Sequence, residues 1–202
     1  MIAFWGGDDN DRLDGGEGLD QLYGEAGDDM LLGGDGNDYL SGGSGNDTIY
    51  CDNDNDDIDG GDGDDSLNAG KGDDAVDGGA GDDSIYAGEG WDTVHGGIGN
   101  DTLLGGSGLD NLHGGAGDDY MIGGNGSDRF VVHTGHDTIA DFQNNRDKID
   151  VSETLTTFAA RKAYVDSHAT VVGGNTILTD DVSTSVTILG LTNIAQLYDA
   201  IV

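Results

Sequence analysis

Large apolar residues recur at every ninth position through two thirds of the chain: Leu13, Leu22, Leu31, Leu40, Ile49, Ile58, Leu67, Val76, Ile85, Val94, Leu103, Leu112, Met121, Phe130 and Ile139. The positions on either side are mostly polar, as Arg12 and Asp14 are around Leu13. An apolar residue between outward-facing neighbours has the alternation of a half-buried strand, so each triplet predicts a three-residue strand with its centre turned inward. Glycines fill most first, second and fourth positions of the unit, and they predict tight turns at positive φ. Aspartate stands two residues before every apolar position. The unit is G-G-x-G-x-D-x-U-x, with U a large apolar residue, repeated fifteen times over residues 6–140 without insertion or deletion. A strict period of this length predicts stacked repeats that share one continuous core.

Composition changes what such a stack can do alone. The chain has 39 Gly, no Pro and a net charge of −34, and residues 1–140 hold 33 acidic but only 3 basic residues. One buried side chain per nine residues gives little return against the backbone entropy of ordering them. Stacking also brings aspartates together, and two carboxylates about 5 Å apart repel by roughly 3 kcal/mol at an effective dielectric of about 20. Without a counter-charge the array is expected to stay unfolded. Nucleic acids and anionic membranes would add like charge and are excluded as partners. A divalent hard cation reverses the sign of the term, so its binding energy becomes folding energy. Flexible all-oxygen cages suit calcium better than magnesium, and the repeats lack the nitrogen and sulfur donors of transition-metal sites.

Fifteen in-phase copies of this unit resemble the calcium-binding nonapeptides of the RTX (repeats-in-toxin, hemolysin-type) family. The resemblance implies an all-β fold: a right-handed parallel β-roll, a solenoid with two nonapeptides per coil. Each loop would lie over the loop eighteen residues on, with odd repeats along one edge and even repeats along the other. In that family, loop carbonyls and Asp carboxylates of vertically adjacent loops enclose each ion. Carried onto this sequence, the metal-binding carboxylates are Asp20, Asp29, Asp38, Asp47, Asp56, Asp65, Asp74, Asp83, Asp92, Asp101, Asp110, Asp119 and Asp128. The carbonyls are those of Gly34, Gly36, Gly43, Gly45, Gly61, Gly63, Gly70, Gly72, Gly79, Gly81, Gly88, Gly90, Gly97, Gly99, Gly106, Gly108, Gly115 and Gly117. Eight odd and seven even loops leave at most about thirteen inter-loop sites, so multiple calcium ions, up to about a dozen, are expected.

Departures from the unit mark weak rungs. Repeat six, residues 51–59, has no glycine and places Asp54 where positive φ is expected, a cost that Asp tolerates better than most residues. Altered calcium sites are expected around Asp56. Its spaced aspartates resemble the start of an EF-hand, but the sixth position of that loop falls on Asp57 and the twelfth on Gly63, so the reading fails. Asp9 in repeat one and Val132, His133 and Thr134 in repeat fifteen are expected to weaken both ends. His95 and His113 should stack one coil apart on the outer surface, and two imidazoles without further ligands are most simply solvated. No H-E-x-x-H, G-x-S-x-G or Walker loop is present, so no catalytic residue is assigned and the module is expected not to be an enzyme. Cys51 is the single cysteine, which leaves a free thiol and an intermolecular disulfide both open.

The period stops after Ile139, which divides the chain into a β-roll at 1–140 and a capping segment at 141–202. Strands are expected at 148–152, 169–172, 176–179 and 186–189, helices at 156–166 and 193–200, and a hairpin turn at Gly173 and Gly174. The cap is expected to dock on outward-facing Leu104, Tyr120 and Ile122. Asp141, Phe142 and the run 147–152 resemble the segment that closes RTX rolls, and Asp199-Ala200-Ile201-Val202 resembles the end of type I secretion substrates. The first residues lack the basic and long apolar regions of a secretory signal, and no stretch reaches transmembrane length. Phe4 lies in phase with Leu13, as in a module cut from a longer protein.

The resemblance therefore implies a monomeric module of a secreted bacterial protein, exported by type I machinery and folded by calcium outside the cell. An attached N-terminal passenger domain and an extracellular polysaccharide are the further partners it suggests. The alternative is the C-terminal module of a secreted lipase, serralysin-type metalloprotease or mannuronan epimerase, contacting an anionic polysaccharide through calcium. An adhesin or ice-binding surface is disfavoured, because the outward positions vary and form no Thr ladder.

Overall fold

Every apolar residue of the period from Leu22 to Ile139 is buried, at 0–3% exposure, in one continuous spine. The computed structural model describes residues 1–143, 146–150, 169–172, 174–179, 184–191 and 197. The spine lies between two parallel sheets built from successive half-coils. In chain order these are β1 (Ala3–Asp8), β2 (Arg12–Glu17), β3 (Gln21–Ala26), β4 (Met30–Asp35), β5 (Tyr39–Ser44), β6 (Thr48–Asn53), β7 (Asp57–Asp62) and β8 (Ser66–Lys71). They continue as β9 (Ala75–Ala80), β10 (Ser84–Gly90), β11 (Thr93–Ile98), β12 (Thr102–Gly108), β13 (Asn111–Ala116), β14 (Tyr120–Gly126), β15 (Arg129–Val131) and β16 (Gly135–Ile139). The remaining strands are β17 (Lys148–Asp150), β18 (Ala169–Val172), β19 (Asn175–Thr179) and β20 (Thr184–Ile188).

Odd strands β1 to β17 form a nine-stranded sheet, while even strands β2 to β16 join β20, β19 and β18 in an eleven-stranded one. Partners in the repeat array are eighteen residues apart, as in Leu22 with Leu40 and Leu13 with Leu31. This is the parallel β-roll expected from the repeat, with about two nonapeptides per coil.

The strands are longer than the expected triplet, six residues in most units. Position one also faces inward, so that Leu22 and Gly24 of β3 are both buried. Space there is scarce: a Cβ on Gly60 would lie 2.5 Å from Asp65 Oδ2 and 2.5 Å from the Gly78 carbonyl oxygen. Small residues fit best within the array, and Cys51, Ala69 and Ala87 take the same inward position on β6, β8 and β10 at 0% exposure, while the larger Val132 takes it only in the last repeat. Cys51 is thus a free thiol in the core, which disposes of the intermolecular disulfide in the folded chain.

The coil continues past the end of the sequence period. β15 pairs with β17 in a register of nineteen, matching Phe130 to Ile149, and β16 pairs with β20, matching Ile139 to Ile188. Ile149 and Ile188 are both fully buried. β18 and β19 form an antiparallel hairpin, with Gly174 in its turn at φ +87°, and β19 pairs antiparallel with β20. The described cap strands therefore extend the two sheets edge to edge, β17 the odd one and β18 to β20 the even one, rather than lying across Leu104 and Ile122 as expected; Tyr120 keeps 40% exposure. The expected helices and the terminal Asp199–Val202 motif fall outside the described residues.

Candidate metal centres

The repeat aspartates line the two edges where the chain passes between sheets. Those from Asp20 to Asp137 are 1–4% exposed, an unusual burial for carboxylates. Each splits its two oxygens between different tasks. One accepts a backbone N–H from the aspartate one coil earlier: Asp47 N donates to Asp65 Oδ1 at 2.7 Å, and Asp65 N to Asp83 Oδ1 at 2.9 Å. The other is an orphan. Oδ2 of all fourteen aspartates from Asp20 to Asp137 is buried without a hydrogen-bond donor.

An unsatisfied buried carboxylate oxygen is costly, and fourteen in register demand a common partner. Their surroundings are further oxygens. Asp65 Oδ2 and the Gly78 carbonyl converge on the space a Cβ would fill at Gly60, and Asp83 Oδ2 and the Gly96 carbonyl do the same at Gly78. The second and fourth positions add more: a Cβ on Gly79 would overlap the Gly61 carbonyl, and one on Gly81 the Gly63 carbonyl. Positive φ at these positions, +102° at Gly79 and +134° at Gly81, is what aims the loop this way. Among the described residues no three His, Cys, Asp or Glu side chains converge as a metal cluster. A cation at these edges would draw carboxylates from the ladder and fill its shell with backbone carbonyls, a hard all-oxygen donor set that fits calcium.

Electrostatics agrees with that donor set. Burial pushes the carboxyls up, to about 6 at Asp47, Asp65, Asp92 and Asp101, to about 7 at Asp83, Asp110 and Asp137, and to about 8 at Asp56. The backbone N–H bond to each pulls the other way, and neighbouring carboxylates add to the rise. A bare roll thus holds its ladder charges at a penalty that a bound cation removes.

Repeat six keeps the backbone path of its glycine-bearing neighbours. Asp52 and Asp54 both adopt φ +73°, and their carbonyls face Gly70 and Gly72 as the equivalent glycine carbonyls do elsewhere. Local slack appears beside them: Gly36 N reaches the Asn53 carbonyl at 3.3 Å, whereas Gly18 N reaches Asp35 at 2.7 Å. Asp9 and Glu25 also sit at positive φ, the latter at a second position that the sequence reading did not flag.

The ends of the ladder are bonded differently from its middle. Asp11 is only partly buried, and Asp20 Oδ1 accepts the Ile2 N–H and pairs with the chain's amino terminus. At the other end the sequence reading missed Asp147, which receives the Asp128 N–H at 3.0 Å and fills its second oxygen with the Gln143 N–H at 2.7 Å. Asp141 binds the N–H groups of Gly123 and Gly124. The ladder is closed there by protein donors. His95 and His113 stack on the outer surface of the odd sheet with ring centroids 4.3 Å apart, and burial with the neighbouring His95 pushes His113 down to about 4.

Two edges of orphaned carboxylate oxygens on a parallel coil define an acidic β-roll with repeated hard-cation sites. The model of the RTX calcium-binding nonapeptide repeat matches residues 5–40, 32–67, 52–84, 68–103 and 104–139, and the chain belongs to that family. Its repeats are calcium-binding repeats, and the module they form is itself non-catalytic. Among solved structures the chain is similar to the AlgE6R3 subunit from the Azotobacter vinelandii mannuronan C5-epimerase, with 31% identity and a TM-score of 0.47, covering 60% of this chain and 78% of that one. It is also similar to the extracellular lipase LipA from Serratia marcescens, with 20% identity and a TM-score of 0.43, covering 92% of this chain and 40% of that one. Comparison with the curated proteins found no match.

Proposed function

We propose that this chain is a calcium-triggered folding module of a secreted protein. The observation that carries the reading is the row of fourteen buried carboxylate oxygens without donors. The ions sit between loops eighteen residues apart, held by the Oδ2 atoms of Asp20 through Asp128 and by carbonyls of the second- and fourth-position glycines, with first-position carbonyls such as that of Gly78 joining them. Calcium supplies the positive charge that makes the stacked ladder stable.

At the low free calcium of a cytosol the chain is unfolded, in the state suited to passage through a type I export channel. On reaching millimolar calcium outside the cell it coils and stabilises whatever domain is attached to it. Repeats of this family are typical of extracellular proteins exported in that way, which supports the placement. The test is the hydrodynamic radius of the chain in calcium-buffered solutions. An expanded chain at submicromolar calcium that becomes compact in the millimolar range supports the reading, and a chain equally compact at both overturns it.

A further inference from the structure

On the even sheet the outward residues on either side of each buried apolar residue carry no charge across six neighbouring strands, β4 to β14, in a chain of net charge −34, while Asp35, Asp52, Lys71 and Glu89 lie further along these strands, beside the loops. The corresponding surface of the odd sheet holds Asp57, Asp59 and Asp77 among its outward residues. The uncharged strip has two kinds of side chain. Tyr50, Tyr86 and Tyr120 stand 39%, 44% and 40% exposed. Thr48, Ser66, Asn68, Ser84 and Thr102 lie between and beside them with hydroxyl and amide groups. Leu32, Leu104 and Ile122 continue the column of Tyr50 and Tyr86 as apolar platform.

Spacing narrows the choice of ligand. Tyr50 on β6 and Tyr86 on β10 share one column, two strands apart, which places them about 10 Å from each other along the roll axis. Tyr120 follows two strands further on, shifted across the strand by two residues. That interval is the two-sugar repeat of an extended β-1,4-linked glycan. Sugar rings offer apolar C–H surfaces to aromatic rings and hydroxyls to short polar side chains, the two chemistries this strip alternates. The repeat edges repel polyanions, which selects a neutral chain. A second copy of the protein fits less well: six strands by two outward residues cover roughly 300 Å², against the roughly 800 Å² per partner of a stable complex.

We propose that the outer surface of the even sheet binds an uncharged β-1,4-linked polysaccharide lying along the roll axis, with Tyr50 and Tyr86 stacked on alternate sugar units. The test uses the full chain in millimolar calcium, titrated calorimetrically with cellohexaose and run through gels containing hydroxyethylcellulose. The expected results are saturable cellohexaose binding and retarded migration in the gel. Joint Tyr50→Ala and Tyr86→Ala substitution should weaken binding at least about tenfold through loss of two stacking contacts. Tyr86→Phe and, on the odd sheet, Tyr39→Ala should leave it unchanged. Far-UV circular dichroism of each variant in calcium separates loss of fold from loss of binding. Absence of cellohexaose binding by the folded chain, equal binding of a mannuronate hexamer, or binding indifferent to the double substitution overturns the proposal. So does a dimer in sedimentation equilibrium that the double substitution dissolves, which would assign the strip to a second copy.

Discussion

Asp65 donates its backbone N–H to Asp83 Oδ1 at 2.9 Å, and the other oxygen of Asp83 is buried without a donor. One carboxylate thus ties two coils together and keeps an oxygen open for the proposed ion. Asp83→Ala removes both functions in mid-array. Its calcium midpoint for folding should rise by about tenfold or more, the loss of a charge-assisted hydrogen bond together with an ionic ligand. Asp11→Ala, at the partly exposed edge, should shift it by less than about twofold. Calcium titrations of the two variants check this, and equal shifts would contradict a cooperative stack.

Burial raises the ladder carboxyls, so the metal-free fold binds protons more tightly than the unfolded chain. The sign follows: its stability falls as pH rises from the ordinary carboxyl value of 3.8 towards about 8, where Asp56 titrates, and returns on acidification. In EDTA the chain should gain β-structure as pH is lowered through that window. Calcium competes with these protons, so its affinity should fall below about pH 7, the level of Asp83 and Asp110, and binding should release protons. Circular dichroism against pH in EDTA and calorimetry in buffers of different ionisation enthalpy measure the two effects.

Glycine positions differ in what they tolerate. Gly7 is at φ +107° with open space where a Cβ would go, so Gly7→Ala should cost only the left-handed backbone penalty of about 1–2 kcal/mol. Gly79, at φ +102°, would drive its Cβ into the Gly61 carbonyl, and Gly79→Ala should cost clearly more. Thermal melts in saturating calcium give the comparison.

Asp54 holds a glycine conformation at φ +73°. Asp54→Gly relieves that strain and should stabilise the calcium-loaded roll by about 1 kcal/mol. A raised melting temperature is the expected readout.

Cys51 reports on folding from inside the core. Its thiol is 0% exposed, and burial followed by the field of Asp56 raises its pKa. Ellman's reagent should leave it unmodified in calcium and titrate one thiol per chain in EDTA. Rapid labelling in both would place Cys51 outside the folded core.

The periodic part of the structure was legible because one residue type per position does one physical job. The nine-residue spacing already sets the phase of every inward residue and Asp at position six recurs with it, whereas the register of eighteen that pairs Leu22 with Leu40 followed from the family resemblance, because a period of nine alone does not say how many units make one coil. Inward burial of position one was not legible, since a glycine pattern looks the same whether it serves a turn or makes room for a carboxylate; Cys51, Ala69, Ala87 and, in the last repeat, Val132 were its trace. A strand at 148–152 was expected and β17 occupies Lys148–Asp150, but the place of Asp147 in the ladder and of Ile149 in the spine escaped, because one extra residue shifts them to a register of nineteen, which a strict period cannot detect. The division of each carboxylate between a backbone N–H and an open oxygen was hidden for a different reason: it depends on the stacking distance and not on residue type.

Calcium-coupled folding is tested most directly by far-UV circular dichroism of the whole chain during a calcium titration at neutral pH, with magnesium as the control ion. The expected result is an unfolded spectrum in EDTA, a cooperative gain of β-structure with calcium, and no comparable gain with magnesium. A chain already rich in β-structure in EDTA and unchanged by calcium would contradict the account.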